Sequence, residues 1–511
     1  MTTLIIAIAR FLPLTRTMLQ KIKNELMENS WDSVRETFKK IWGYEAFRPP
    51  QGEIVRSLLA GQDALIVLPT GGGKSICFQL PALLQTGLTL IISPLVALME
   101  NQVQELRERR LPAALLHSQV PRYQRKQTLQ AIEQQKLRLL YLSPETLLSP
   151  PVWQRIVQPH VRINGLILDE AHCLVQWGET FRPAYRRLGA VRPTLLQHKP
   201  PGQKIAIAAF TATANPQAQK TLQHALKLRN PQSFLISPYR PNLHLKVRAI
   251  CTPRGRRQQM LKFIQSHGKQ SGLVYVRSRR DSEELAQWFQ SSNYSTAAYH
   301  AGLSAEERRT IEGQWLKGTL QFVICTSAFG MGINKPDVRW IVHFQAPQLL
   351  SEYIQEVGRG GRDGKPTEAL TLMSEPTGWF NPEDKSRDRF FREQLQKKYQ
   401  QAQRISRQLP PQGEIAAVSQ EFKGGEFALA LLHSAGQIEW LDPFHYQRRS
   451  EAAQGNLKQL SATQQRAQRE MNRYLTTRGC RWQFLLNAFG FSSETGTLHC
   501  GRCDNCLKRR R

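Results

Sequence analysis

Four stretches of the chain hold side chains whose types and spacing could do chemistry. LPTGGGKS (68–75) sets Gly71, Gly72 and Gly73 ahead of a lysine and a serine. Without Cβ atoms, such residues let successive backbone N–H groups converge on phosphate oxygens. Lys74 then reaches the outer phosphates of a nucleotide, and Ser75 offers a hydroxyl to Mg²⁺. Further on, GLILDEAH ends an apolar run with Asp169 and Glu170. Asp169 suits Mg²⁺, directly or through water, and Glu170 suits polarising the attacking water. His172 is placed to pass nucleotide state to the rest of the fold. The same loop continues as CLVQWGETFRP, an aromatic and basic stretch that fits nucleic acid better than ATP. Finally, Cys480, Cys500, Cys503 and Cys506 cluster near the end of the sequence. Three thiols within seven residues suit tetrahedral ligation of Zn²⁺, although an iron–sulfur cluster uses the same ligands.

These residues need a frame. Short apolar runs alternate with helical patterns over 61–240: ALIVLPT, LTLIISP, LRLLYLSP, INGLILDEAH and KIAIAAFTATA. Runs without polar alternation predict strands buried on both faces, hence a parallel α/β sheet. The pattern restarts at 271 and runs to about 373, with YRPNLHLKVR (239–248) as the join. The expected fold is α/β: two tandem parallel-sheet domains, a mostly helical region and a small zinc-binding domain. The expected divisions are an extension over 1–30, a first domain over 31–238 and a second over 239–375. A helical, winged-helix-like insertion follows over 376–454, then the zinc-binding unit over 455–511. Within the insertion, 409–447 reads as short helices followed by a hairpin.

The 511 residues carry 70 Lys+Arg against 40 Asp+Glu, a net charge of +30. Residues 381–511 hold 22 basic and 13 acidic side chains, so the positive field is not confined to a tail. A field of that extent suits a long polyanion. No run approaches the ~20 apolar residues of a spanning helix. MTTLIIAIARFLPL is broken by Arg10 and Pro13 and reads as a short extension, with Met18 and Met27 as alternative starts. A cytoplasmic protein is expected, associated with the nucleoid in a bacterium.

Several longer stretches resemble the RecQ family of superfamily 2 DNA helicases. GYEAFRPPQ (43–51) is similar to its adenine-recognition motif, which implies that Tyr44 stacks on the base while Arg48 and Gln51 read it or its phosphates. Leu68 stands where the usual P-loop begins with Gly, and Pro69 and Thr70 ahead of the glycines resemble the variant found in helicases. SPLVALMENQV (93–103) and SPETLL (143–148) resemble strand-tracking motifs, and AFTATA (209–214), with Thr211, resembles the relay of ATP state. TSAFGMGINKPDVRWIVHF (326–344) and YIQEVGRGGRDG (353–364) resemble the ATP-facing motifs of the second domain, with Gly360 in place of the usual Ala. Gly330, Gly332 and Asp337 are expected in the coupling machinery. Arg359 and Arg362, three apart, are expected on one helix face, stabilising charge on the transferred phosphoryl group. Residues 173–183 resemble the family's aromatic-rich loop. That implies DNA contacts or coupling by Gln176, Trp177, Phe181 and Arg182; local core packing is the alternative for the two rings. RGCRWQFLLNAFG and CGRCDNC resemble its zinc-binding domain, which implies structural Zn²⁺ on the four cysteines.

The resemblance implies that the two parallel-sheet domains are RecA-like, with ATP, Mg²⁺ and Zn²⁺ as cofactors and 3′ to 5′ DNA unwinding in recombination and repair. Implied partners are single-stranded and branched or tailed duplex DNA, with single-stranded-DNA-binding and recombination proteins, acting on a monomer. The family commonly continues past the zinc site into a winged-helix domain, whereas five residues follow Cys506 here. Part of 409–447 is therefore expected to replace the wing or to be a structural insertion. A DNA-junction remodeller and an RNA helicase are the alternative functions.

Overall fold

The computed structural model describes residues 30–175, 182–329, 333–375, 377–380, 382–450, 457–494, 496 and 498–509. Seven strands form the first sheet: β1 (Ala64–Val67), β2 (Leu88–Ile92), β3 (Ala113–Leu116), β4 (Leu139–Leu142), β5 (Ile163–Leu168), β6 (Ala206–Thr211) and β7 (Gln232–Leu235). They lie parallel in the order β3-β4-β2-β5-β6-β1-β7. The unalternated sequence has a direct cause. Leu65 and Val67 feed one core, while Ala64 and Ile66 feed the core on the opposite face.

The second lobe repeats the plan with β8 (Leu243–Ile250), β9 (Gly272–Tyr275), β10 (Thr296–Tyr299), β11 (Phe322–Cys325), β12 (Trp340–His343) and β13 (Thr367–Ser374). The order is β10-β11-β9-β12-β13-β8, again all parallel. In both sheets the carboxyl ends of the strands share one edge, where α/β folds bind ligands.

A long helix, Glu383–Gln408, leaves the second lobe and leads to helices Ile415–Glu421 and Gly425–Ser434. With β14 (Gln412–Glu414), β15 (Ile438–Trp440) and β16 (His445–Arg448) they make a strand–helix–helix–hairpin unit, whose antiparallel sheet runs β14-β16-β15. The turn of its hairpin is docked on the first lobe. Phe444 meets Trp153 edge-on at 5.3 Å, and Arg187 donates to Pro443 O (3.3 Å) and Glu426 (2.8 Å).

Helix Leu457–Thr476 returns to the second lobe, where the Tyr474 hydroxyl donates to Tyr353 at 2.9 Å. The cysteine-bearing end then packs on β8. Asp504 accepts from Val247 N (3.0 Å) and grips Arg481, and Trp482 Nε1 donates to Leu243 O (3.1 Å). Trp482, Leu485, Cys503 and Cys506 share a core with β8, β9 and β11.

Candidate active site

The glycine loop sits between β1 and the helix Lys74–Leu84, as its sequence requires. Gly71 (φ +83°) and Gly73 (φ +73°) are left-handed, a region that side chains other than glycine's rarely enter. A Cβ on Gly73 would also lie 2.2 Å from Gln51 Nε2. Gln51 is buried and braces the loop: it donates to Gly72 O (3.1 Å) and accepts from Arg48 N (3.0 Å). Tyr44 stays 51% exposed, its ring 5.9 Å from Phe38. Pro69 O accepts from Gly72 N at 3.1 Å and closes the turn. Thr70 reaches across to the second lobe and donates to Gly358 O at 2.9 Å. Ser75 lies in the first helical turn.

Asp169 and Glu170 follow β5 on the same edge. Asp169 N extends the ladder to Ile92 O at 2.9 Å, and Glu170 then turns left-handed at φ +51°. A non-glycine residue there marks backbone held by its surroundings. Lys74 Nζ lies 3.6 Å from one Glu170 oxygen and His172 Nδ1 3.2 Å from the other. Burial, reinforced by Glu170, lifts the Asp169 carboxyl to about 6. Burial also opposes the Glu170 charge, but Lys74, His172 and Arg359 together hold that carboxyl well below the usual range. Burial disfavours the His172 imidazolium; Cys173 and Glu170 outweigh it and raise the ring above its ordinary value. His172 Nδ1 also meets Thr211 Oγ1 at 3.2 Å, Thr211 donates to Thr213 O (3.1 Å), and Gln355 of the second lobe donates to Thr213 Oγ1 (3.1 Å). A polar line thus runs from the carboxylates into the other lobe.

One expectation about the arginines is corrected. The helix Leu350–Val357 ends at Gly358, so Arg359 and Arg362 occupy the glycine-rich turn after it rather than a helix face. Each of three glycines there permits a close approach: Gly358 to Thr70, Gly360 to Thr367, and Gly361 to Thr367 and Asn242. The approach places Arg362 over Gly71, its methylene carbons 3.8–3.9 Å from where a Cβ would stand. Arg362 also donates to Ile333 O (2.9 Å) and Asn334 (3.0 Å). Burial, then the charges of Arg359 and Arg240, lower its pKa to about 10, so Arg362 remains cationic at neutral pH.

Two residues of the join escaped the sequence reading. Arg240 donates to Gly358 O (3.1 Å) and to Gly361 O, and Asn242 donates to Gly361 O (2.8 Å). Gln355 and Thr213 lie within quoted motifs, but their pairing across 142 positions has no local signal. Arg182 pairs with Glu145 of SPETLL at 3.1 Å. Gln176, Trp177 and Phe181 lie outside the described residues, as do Gly330 and Gly332. Asp337 is 54% exposed and pairs with Lys335.

The residues present fit a magnesium nucleotide. Lys74 Nζ, Arg359 Nε and Arg362 Nε are buried without a hydrogen-bond acceptor, and a phosphate chain supplies acceptors and offsets their mutual repulsion. Ser75 and Asp169 offer the oxygen donors that Mg²⁺ prefers.

At the other end of the chain, the sulfurs of Cys480, Cys500, Cys503 and Cys506 lie within 4.8 Å of one another, with Cys500 and Cys506 3.9 Å apart. A tetrahedron with Zn–S near ~2.3 Å has edges of about 3.8 Å. Backbone N–H groups of Cys500, Cys503 and Cys506 point at Cys480, Cys500 and Cys503 sulfurs (3.3–3.4 Å), which stabilises thiolates. Hydrogen bonds from Cys500 and Cys503 favour the Cys480 thiolate, and the same hydrogen bonds raise Cys500 and Cys503. A dication relieves that crowding. All four are free of disulfides, and the set fits a closed structural Zn²⁺ site.

Comparison with known proteins agrees with this geometry. Residues 48–222 match the DEAD/DEAH box helicase family, 255–364 the helicase conserved C-terminal domain, and 445–507 the RecQ zinc-binding domain. The chain is 54% identical to the ATP-dependent DNA helicase RecQ of Synechocystis over 93% of its own length and 98% of that protein's. The chain belongs to the RecQ family. It is also 37% identical to the Haemophilus influenzae RecQ, over 67% of this chain and 53% of that one. Among solved structures, the lobes of this RecQ-family chain resemble Mss116p bound to single-stranded RNA and AMP-PNP (TM-score 0.57, 16% identity, 70% of this chain and 76% of that one). They also resemble the Mycobacterium smegmatis helicase Lhr bound to single-stranded DNA and AMP-PNP (TM-score 0.54, 18% identity, 88% and 62%). At such identities the likeness concerns the fold alone.

Proposed function

We propose that this chain is an ATP-dependent DNA helicase that moves 3′ to 5′ along single-stranded DNA and opens duplexes in recombination and repair, beside single-stranded-DNA-binding proteins. The observation that carries this reading is the composite site: glycine loop and carboxylates on one lobe, Arg359 and Arg362 on the other. Glu170, held ionised by Lys74, His172 and Arg359, orients and polarises the water. Lys74, Arg359 and Arg362 neutralise charge as it builds on the transferred phosphoryl group. Mg²⁺, held by Ser75 and Asp169, supplies further charge neutralisation when bound. Because Thr70 and Gln355 tie the lobes together at this site, nucleotide turnover opens and closes the clamp. The aromatic-rich stretch that follows Glu170 in the sequence supports DNA-dependent hydrolysis, with Trp177 and Phe181 as base-stacking rings.

A second reading, a junction remodeller that separates few base pairs, draws on the hairpin turn at Pro443 and Phe444, which is docked on the first lobe. An RNA helicase is not favoured, given the RecQ relatives and the RecQ zinc-binding match. The test is ATPase with single-stranded DNA, RNA or neither, beside unwinding of a 3′-tailed duplex. Stimulation by DNA with unwinding is expected, and Glu170→Gln should cut turnover by about 100-fold or more while nucleotide still binds. Stimulation by DNA without unwinding of any tailed or forked substrate supports the remodeller instead.

A further inference from the structure

Just beyond β13 the chain gives two aromatic rings to solvent. Trp379 is 84% exposed, more than any other large apolar side chain among the described residues, and Phe380 is 67% exposed. Leaving such rings in water forfeits burial, and a slack loop would account for it. This turn is not slack. The Glu375 carboxylate accepts from Gly378 N (2.7 Å), Phe380 N (2.8 Å) and the Thr377 hydroxyl, and Thr377 Oγ1 accepts from Trp379 N (3.2 Å). Gly378 is left-handed at φ +64°. One carboxylate thus gathers the backbone donors of the turn that carries the two exposed rings.

Beside the turn lies a groove of about 540 Å³, with Gly378 in its wall. Five cations line it: Arg277, Lys385, Arg387, Arg392 and Arg469. Three acidic residues line it too, but two are already engaged. Glu375 holds the turn, and Asp384 binds Arg256, Arg387 and Ser374 N. Arg387 and Arg277 are engaged in turn, by Asp384 and Glu352, and five cations against three carboxylates leave the groove net positive. It lies on the strand-end edge of the second sheet. Arg277 follows β9, Gln348 follows β12 and the turn follows β13, on three adjacent strands.

Exposed aromatic faces next to a basic track are the two parts of a single-strand site: rings take bases regardless of sequence, and cations follow the phosphates. An acidic peptide would use the cations and leave the rings without a partner. We propose that Trp379 and Phe380 are a base-stacking step for a DNA single strand whose phosphates run along the neighbouring basic groove. The step is separate from the loop that follows Glu170, and the proposal rests on the reading of the chain as a DNA helicase.

The test uses the full chain, labelled oligonucleotides of increasing length and the double variant Trp379→Ala/Phe380→Ala. Stacking is worth ~1–3 kcal/mol per base and each ~1.4 kcal/mol is tenfold. Long oligonucleotides should therefore bind the variant about 10- to 100-fold more weakly, and the shortest should bind equally. Trp379→Tyr should retain most of the affinity. Moving an abasic site along the oligonucleotide should weaken wild-type binding at one or two positions and lose that dependence in the variant. Equal affinity of variant and wild type at every length, with DNA-stimulated ATPase intact, overturns the stacking step and leaves the helicase reading standing. A wild type that binds no DNA overturns both. Loss of binding to anionic lipid vesicles, with DNA affinity unchanged, assigns the rings to a membrane and also overturns the proposal.

Discussion

Gly360 stands where the family usually has alanine, and its neighbour explains the exchange. A Cβ there would lie 2.6 Å from Thr367 Cγ2, inside any normal carbon–carbon contact. Thr367 cannot easily yield, because its hydroxyl donates to Val338 O at 3.0 Å. Gly360→Ala should therefore cost about 1–3 kcal/mol, as overpacking does. It should also lower ATPase, because the same turn carries Arg359 and Arg362. Thr367→Ser removes only the offending methyl and keeps the hydroxyl. Melting curves and ATPase rates of the two single variants and the double test the idea. The double should recover most of what Gly360→Ala loses, and additive losses would mean that the methyl is not the obstacle. The sequence displayed the glycines, the lysine and the paired carboxylates because each motif is contiguous. It hid the brace from Gln51 to Gly72 and the grip of Arg240 on Gly358, since those partners meet only after the sheets have formed.

The zinc-bearing end is tied to the second lobe by single side chains. Asp504 caps Val247 N on β8, Trp482 holds Leu243 O, and Tyr239 meets Trp482 edge-on at 5.2 Å. Leu243 and Trp482 also line, with Pro69, Thr70 and Gly358, one small cavity between the lobes. The four thiolates fix the helix Arg481–Ala488 relative to Asp504–Lys508, and so fix this contact. Cys503→Ser should release zinc, lower the melting temperature by several degrees and speed hydrogen exchange at Val247. A dye that reports released zinc and mass-resolved exchange measure both. Zinc loss with unchanged exchange on β8 would show that the docking does not depend on the metal. Periodicity revealed the strands because their burial is local. The helix and hairpin order of 409–447 was also legible, whereas its docking through Arg187 and Trp153 depends on a surface of the first lobe that no local pattern encodes.

The charge of +30 belongs to the whole molecule, and its consequence is a steep salt dependence. Each phosphate neutralised on a single strand contributes about −0.7 to the slope of log affinity against log salt. Stacking releases no counterions and should leave that slope alone. The two halves of the proposed strand site are therefore separable in one titration series. Lys385→Ala with Arg469→Ala should make the slope shallower by about 1.4 if both side chains lie on phosphates. Trp379→Ala should shift the whole line to weaker binding and keep its slope. Gly378, the residue before Trp379, packs against Lys385, with its would-be Cβ 3.1 Å from Lys385 Cδ, which sets that cation beside the turn that carries the rings. A slope that changes with Trp379→Ala but not with the charge removals would place the strand on another face of the second lobe.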